Sequence, residues 1–259
     1  MIPVNLQKYK RLFVFGCSFT SYHWSTWADV LSKEMPQAEF FNFGYCGGGN
    51  LLISIRIVEA NLRYNFNEDD LIIVMWTTLC REDRYKNGRW WMTGNIFTAS
   101  HDYPDEYVRK YADPKGYLIR DMALITQSNV YLNSLSATSV TLNSTPYDHQ
   151  QDMSDPSIAP IMELYQDTCS ITPPSLFELE MNSVWTHGHE YTNNQGNYKD
   201  YHPDPVRYCN YLKKLGFPIT AIGEEYAFSA RKLLHSTKTK EEIEIGFADL
   251  NSSKSKHIL

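Results

Sequence analysis

The first clear pattern along the chain is a short unbroken apolar run, Leu12-Phe13-Val14-Phe15, which ends in Gly16 and is followed by Ser18. A continuous run, rather than an alternating one, marks a strand covered on both faces. Trp24, Trp27, Ala28, Leu31 and Met35 then recur at helical spacing, and Pro36 stops that helix. A second short strand over 40–43 ends in Gly44. The triplet Gly47-Gly48-Gly49 allows a ligand to approach the backbone closely. Asn50 is a candidate cap for a helix over 51–64, apolar at Leu51, Leu52, Ile55, Val58 and Leu62. After a polar turn at 67–70, the run over 71–76 is the strongest strand pattern in the chain, and Thr77-Thr78 follow it. Residues 12 to 78 therefore spell β-α-β-α-β with helical crossovers, which predicts a parallel sheet with helices on both faces.

The later pattern is less regular. Residues 84–103 are rich in Trp, Gly and Asn and read as a long surface excursion. Helical stretches lie between 106 and 135, notably 118–132, and the β-branched segment 139–142 is the candidate fourth strand. A polar loop spans 147–157, a short helix is expected over 158–167, and Pro173-Pro174 breaks the chain. A His-, Asn- and Gly-rich loop over 186–201 leads into Asp200-Tyr201-His202-Pro203-Asp204-Pro205. The two prolines after His202 set the start of a helix over 206–215, closed by Gly216. An amphipathic helix is expected over 224–234. The charged segment 237–259 reads as an interaction tail or a loose terminus.

Composition narrows the classes. Hydrophobic residues at 42% and charged residues at 21% suit a folded globular chain, and 259 residues allow one large α/β domain. A net charge of -6 argues against an electrostatic nucleic-acid binder. No apolar stretch reaches the roughly 18 residues that a membrane span needs. The first residues lack the apolar core of a secretory signal. Five cysteines scattered without a CxxC pair read as reduced thiols. An intracellular setting is expected.

The candidate chemistry lies at the ends of the strands. Gly16 permits a sharp turn, and Ser18 is expected near a helix N-terminus whose N–H groups suit a developing oxyanion or a phosphate. A serine nucleophile needs a base, the base needs an orienting carboxylate, and the oxyanion needs donors. Gly16-x-Ser18, Gly47-Gly48-Gly49 and Asp200-x-His202 supply these parts from three loops. Plainer readings stand beside this one. Ser18 can serve as a helix cap, and the glycines as a simple loop or phosphate cradle, though no P-loop Lys-Ser/Thr follows them. His187, His189 and His202 with Asp200 have zinc-ligand chemistry. Cys17 has the setting of an activated thiol. Trp90-Trp91 can form a sugar-stacking wall or the core of their own insertion.

Taken together, these motifs resemble the SGNH (GDSL) hydrolases. Gly16-Cys17-Ser18-Phe19 stands where that family has Gly-Asp-Ser after strand one. Asn42 followed by Gly47 fits the second block, and Asp200-Tyr201-His202-Pro203 is close to the closing Asp-x-x-His. The third block, Gly-x-Asn-Asp, is absent: Thr77-Thr78 stand there, followed by Arg81 and Glu82. Asp200 and His202 are one residue closer than the family spacing. The resemblance implies a flavodoxin-like three-layer α/β/α sandwich with a parallel sheet. Its domain would span 1–217 with an insertion at about 84–185, and 218–259 would form a C-terminal extension. It implies Ser18 as nucleophile, His202 as general base and acid, and Asp200 as the residue that orients it. The Ser18 and Gly47 N–H groups, with Thr77 or Thr78, would form the oxyanion hole, without metal or cofactor. The expected substrate is a small ester or an acetylated glycan, with the aromatic-rich insertion favouring the glycan. Losing an oxyanion donor such as the third-block Asn costs about 10²–10³ in rate. That motivates a second reading, a weak or inactive binding or structural relative. Similar modules occur in phage and marine microbial proteins, which suggests a virion or tail role with the C-terminal tail docking a protein partner.

Overall fold

The computed structural model describes residues 5–98, 103–149, 151–182, 188–193 and 196–250. The first part of the chain forms β1 (Arg11–Gly16), α1 (Trp27–Lys33), β2 (Glu39–Gly44), α2 (Asn50–Tyr64) and β3 (Asp70–Trp76). There follow the hairpin β4 (Arg81–Lys86) and β5 (Arg89–Asn95), the helices α3 (Asp105–Tyr111) and α4 (Pro114–Asn133), and strand β6 (Thr138–Asn143). The remainder comprises α5 (Ile158–Leu164), α6 (Gln166–Ile171), α7 (Leu176–Met181), β7 (His189–Asn193), β8 (Gly196–Asp200), α8 (Pro205–Leu215), α9 (Ala221–Ser236) and α10 (Lys240–Leu250).

The main sheet has the order β2-β1-β3-β6 with every pairing parallel. This is the doubly wound order in which ligands bind at the carboxyl ends of the strands. The unbroken apolar runs are explained by cover on both faces. Leu12, Val14, Leu71, Ile73 and Met75 point to one side, into a core shared with α1 and α8. Phe13, Phe15, Phe41, Phe43, Ile72 and Val74 point to the other, against α2 and α4. Phe13 and Phe41 stack across the β1–β2 pair with centroids 4.5 Å apart. The result is the expected three-layer α/β/α sandwich. Among the described residues no helix is long and apolar enough to cross a membrane.

Several expectations need correction. The supposed excursion at 84–103 contains the β4–β5 hairpin, turned at Asn87-Gly88, where both residues have positive φ (54° and 77°). That dipeptide is a strong local hairpin signal. Within the expected insertion at about 84–185, α4 and β6 belong to the sandwich, and β6 contains the candidate fourth strand 139–142. The loop expected at 186–201 folds in its described part as the β7–β8 hairpin, with Tyr191 opposite Tyr198. Asn50 is not the cap of α2. Gly49 holds that position, and the Asn50 side chain is buried inside the first turn. The helix α7 has a capping box at Ser175 and Glu178, whose Ser-x-x-Glu signature encloses the apolar pair Leu176-Phe177.

The segment after 217 docks onto the sandwich. α9 contributes Ala227 to the core that holds α1 and α8. Its N-terminus is capped from a distance by Glu34, whose carboxylate accepts the Thr220 N–H at 2.8 Å and the Gly223 N–H at 2.9 Å. α10 adds Ile243 and Phe247 to a third core around Trp24, Tyr191, Ala230 and Leu234. Residues 251–259 of the expected tail lie outside the described residues. Phe247 is 2% exposed, so Phe247→Ala is expected to lower the unfolding free energy by about 3 kcal/mol or more. Urea unfolding of the two proteins measures this, and a loss under about 1 kcal/mol would mean that α10 is not packed as described.

Candidate active site

The loop that leaves β1 is forced tight. A Cβ on Gly16 would lie 2.0 Å from Thr20 Oγ1, and one on Gly44 would lie 2.8 Å from the Ser21 backbone. Neither strand end tolerates a side chain while the loop folds back over them. Asn42 braces the loop, donating to the Thr20 carbonyl at 2.9 Å and accepting the Gly44 N–H at 2.9 Å. Ser18 is thereby held at the carboxyl edge of the sheet, 6% exposed. It is not at a helix N-terminus as expected. α1 begins only at Trp27, and its cap is Thr26. Cys17 turns into the core beneath and is fully buried, which removes the reactive-thiol reading.

His202 arrives from the far end of the chain. Its Nε2 lies 2.8 Å from Ser18 Oγ, and its Nδ1 lies 2.6 Å from Asp200 Oδ1. A carboxylate can only accept, so Nδ1 carries the proton and Nε2 is left to accept the Ser18 hydroxyl. The short Asp-x-His spacing is accommodated in the loop, because Asp200 Oδ1 also accepts the His202 backbone N–H at 2.9 Å. The Trp24 indole N–H donates to the Pro203 carbonyl at 2.9 Å and pins this loop from the β1 side. Asp200 is 1% exposed. Burial pushes its carboxyl up, but the hydrogen bonds from His202 and Tyr22 outweigh burial and hold it below the usual carboxylate range.

The other expected residues stand at the ends of β2 and β3, the same edge of the sheet. Gly47 has a left-handed φ of 76°, and a Cβ there would come within 3.2 Å of the Met92 carbonyl on β5. Thr77 is gripped by Asn50, whose amide accepts the Thr77 N–H at 3.0 Å and donates to the Thr77 carbonyl at 3.2 Å. The Thr77 hydroxyl is buried with no hydrogen-bond partner among the described residues. The Thr78 hydroxyl accepts from Arg81 Nε at 2.9 Å, and the same guanidinium donates to the Gly48 carbonyl at 3.1 Å. Arg81 thus ties the two loops together.

The phosphate-cradle reading does not survive. Asp83, from β4, already occupies the N-terminus of α2, accepting the Gly49 N–H at 2.8 Å and the Leu52 N–H at 3.0 Å. Gly48 N–H is spent on the Tyr45 carbonyl. For the zinc reading, His187 lies outside the described residues, and no cluster of three metal-ligating side chains occurs among the described ones. His189 instead stacks against His235 with centroids 6.0 Å apart. Trp91 is exposed on the hairpin, where a groove of about 500 Å³ is lined by Arg84, Trp91, Tyr103 and Tyr107. Trp90 packs edge-on against Tyr85.

Sequence reasoning missed Tyr22, Tyr191, Arg81, Asp83 and Asp121 as parts of the site. No local pattern marks Tyr22, because its partner Asp200 is 178 residues away. Asp121 receives Asn50 Nδ2 at 3.3 Å and Arg120 at 2.7 Å.

No protein-family model matches the sequence, and no curated protein matches it. Among solved structures, a lipolytic protein of the G-D-S-L family from Desulfitobacterium hafniense matches with a TM-score of 0.42 and 14% identity, over 79% of this chain and 98% of that one. A member of the lipolytic G-D-S-L family from Veillonella parvula matches with a TM-score of 0.44 and 11% identity, over 78% and 96%. A catalytic mutant of an acetylxylan esterase from Geobacillus stearothermophilus matches with a TM-score of 0.41 and 10% identity, over 82% and 96%. The chain's own topology places a serine after β1, a glycine loop after β2 and Asp-x-His before α8.

The buried network behind the loops gives a pH prediction. Burial pushes the Asp121 carboxyl up to about 6, against the opposing pull of Arg120 and Asn50. The folded protein therefore holds this proton more tightly than the unfolded chain does. Its contribution to stability is fully present below the ordinary value of 3.8 and is lost as pH rises to about 6. Asp121→Asn removes the titration. Relative to that variant, the wild type is expected to lose stability between about pH 4 and about pH 7. Urea midpoints at the two pH values test this, and parallel behaviour would show that the carboxyl is not perturbed.

Proposed function

We propose that the protein is a serine ester hydrolase that works through an acyl-enzyme on Ser18. The observation that carries this reading is the continuous path Ser18 Oγ to His202 Nε2 at 2.8 Å and His202 Nδ1 to Asp200 Oδ1 at 2.6 Å. His202 takes the Ser18 proton as Oγ attacks the ester carbonyl, and returns it to the departing alcohol oxygen. Water then attacks the acyl-enzyme with His202 again as base. Asp200 keeps the imidazole in the tautomer that leaves Nε2 free to accept, and its charge favours the imidazolium that forms. The oxyanion is assigned to the Ser18 and Gly47 N–H groups with a Thr77 or Thr78 hydroxyl. The Thr77 hydroxyl, without a hydrogen-bond partner among the described residues, is consistent with that role.

The substrate class assigned is an ester of small acyl size, with an acetylated glycan favoured. Trp91, Tyr103 and Tyr107 line a groove on the hairpin that backs the Gly47 loop, and aromatic faces of this kind bind sugar rings. A weak or inactive relative, serving as a virion-associated binding or structural protein, is the second reading. The observation in its favour is the Thr78 hydroxyl, which is already engaged by Arg81 where the family carries an Asn donor.

A fluorophosphonate probe separates the two. The expected result is a single adduct on Ser18, read by intact mass and the labelled peptide, and lost in Ser18→Ala and His202→Ala. A folded wild-type protein that takes no adduct would remove the hydrolase reading.

A further inference from the structure

Asp200 is saturated by its neighbours. A carboxylate offers about four lone-pair sites, and four donors fill them here. The His202 backbone N–H and Nδ1–H bond to Oδ1, and the Tyr22 and Tyr191 hydroxyls bond to Oδ2, the latter at 3.3 Å. Tyr22 also lies flat on the His202 imidazole, with ring centroids 3.8 Å apart and planes 17° apart. One side chain thus touches both the base and the carboxylate that orients it. Tyr22 is itself held edge-on by Trp24, with centroids 4.7 Å apart and planes at 90°.

The short Asp200-x-His202 spacing makes such a support necessary. Both bonds from His202 to Asp200 converge on one carboxylate oxygen, so the loop alone does not fix the ring plane, which also rests on the Ser18 bond at Nε2 and on Phe19, 5.0 Å away between centroids. The loop also leaves Oδ2 without a partner in a buried position. The face of Tyr22 adds a closer ring contact, and its hydroxyl joins that of Tyr191 in satisfying the second oxygen. The stacked tyrosine face also favours the imidazolium that forms when His202 takes a proton.

We propose that Tyr22 is a positioning residue for the Ser18–His202–Asp200 relay, holding the imidazole plane with its ring and the carboxylate with its hydroxyl. This rests on the esterase reading above and deepens it. Tyr22→Phe keeps the stack and loses the hydrogen bond, whereas Tyr22→Leu loses both.

The test has two readouts. One is the rate of fluorophosphonate modification of Ser18. The other is the nitrogen and proton chemical shifts of the His202 Nδ1–H group, which need no substrate. Tyr22→Phe is expected to label about tenfold more slowly and Tyr22→Leu about a hundredfold more slowly, with the His202 shifts moved in both. 3-Fluorotyrosine at position 22 keeps the shape and makes the hydroxyl a stronger donor, so it must move the His202 shifts in a protein that folds as the wild type does. Unmoved shifts with fluorotyrosine, or wild-type labelling by Tyr22→Phe, would overturn the proposal. A wild type that takes no adduct, yet whose His202 shifts respond to position 22, would remove the esterase reading and leave the coupling of Tyr22 standing.

Discussion

A carboxylate taken out of water must find partners, and Asp200 is the place where this protein meets that requirement. Leaving such a charge uncompensated costs several kcal/mol. The donors that satisfy Asp200 come from separate parts of the chain: Tyr22 on the loop after β1, Tyr191 on β7, and His202 just beyond β8. Each donor is fixed by packing elsewhere. Tyr191 belongs to the core that α9 and α10 build around Trp24, and Trp24 reaches the Pro203 carbonyl. The C-terminal helices therefore help to hold the two ends of the site against each other, although Ser18, Asp200 and His202 all lie outside them.

The opposite side of the site is organised by a second set of buried polar groups. Asn50 grips the backbone of Thr77, Asp83 holds the amides at the start of α2, and Arg81 spans from Thr78 to Gly48. Buried polar groups are costly unless paired, and once paired they specify one arrangement. The loops after β2 and β3 therefore have a defined geometry without regular secondary structure. The β4–β5 hairpin is part of this scaffold, because Asp83 lies on it and Met92 packs under Gly47.

Much of the central fold was legible because its signals are local. The uninterrupted apolar runs at β1 and β3 report burial on both faces, and Pro205 with Gly216 brackets α8. Ser18, Asp200 and His202, which the fold links by hydrogen bonds through His202, were legible as candidates from residue type and chain order. Asn87-Gly88 and the Ser175 capping box were equally local and were readable from pattern alone. Asn50 is the instructive failure. Its place before a helical run matches a cap, yet the side chain turns inward, where its amide pairs with both the N–H and the carbonyl of Thr77.

By itself, then, the sequence determined the parallel sandwich, the turn at Gly16 and the residue types available for nucleophilic chemistry. These follow from periodicity and backbone sterics over a few residues. Only the tertiary structure decided that Asp200 and His202 meet at a spacing of two, that Tyr22 braces them, and that Asp83 rather than a ligand occupies the start of α2. The last two of these outcomes depend on contacts between residues tens to nearly two hundred positions apart. The requirement that every buried charge be satisfied acts on the folded neighbourhood, where sequence pattern has no reach.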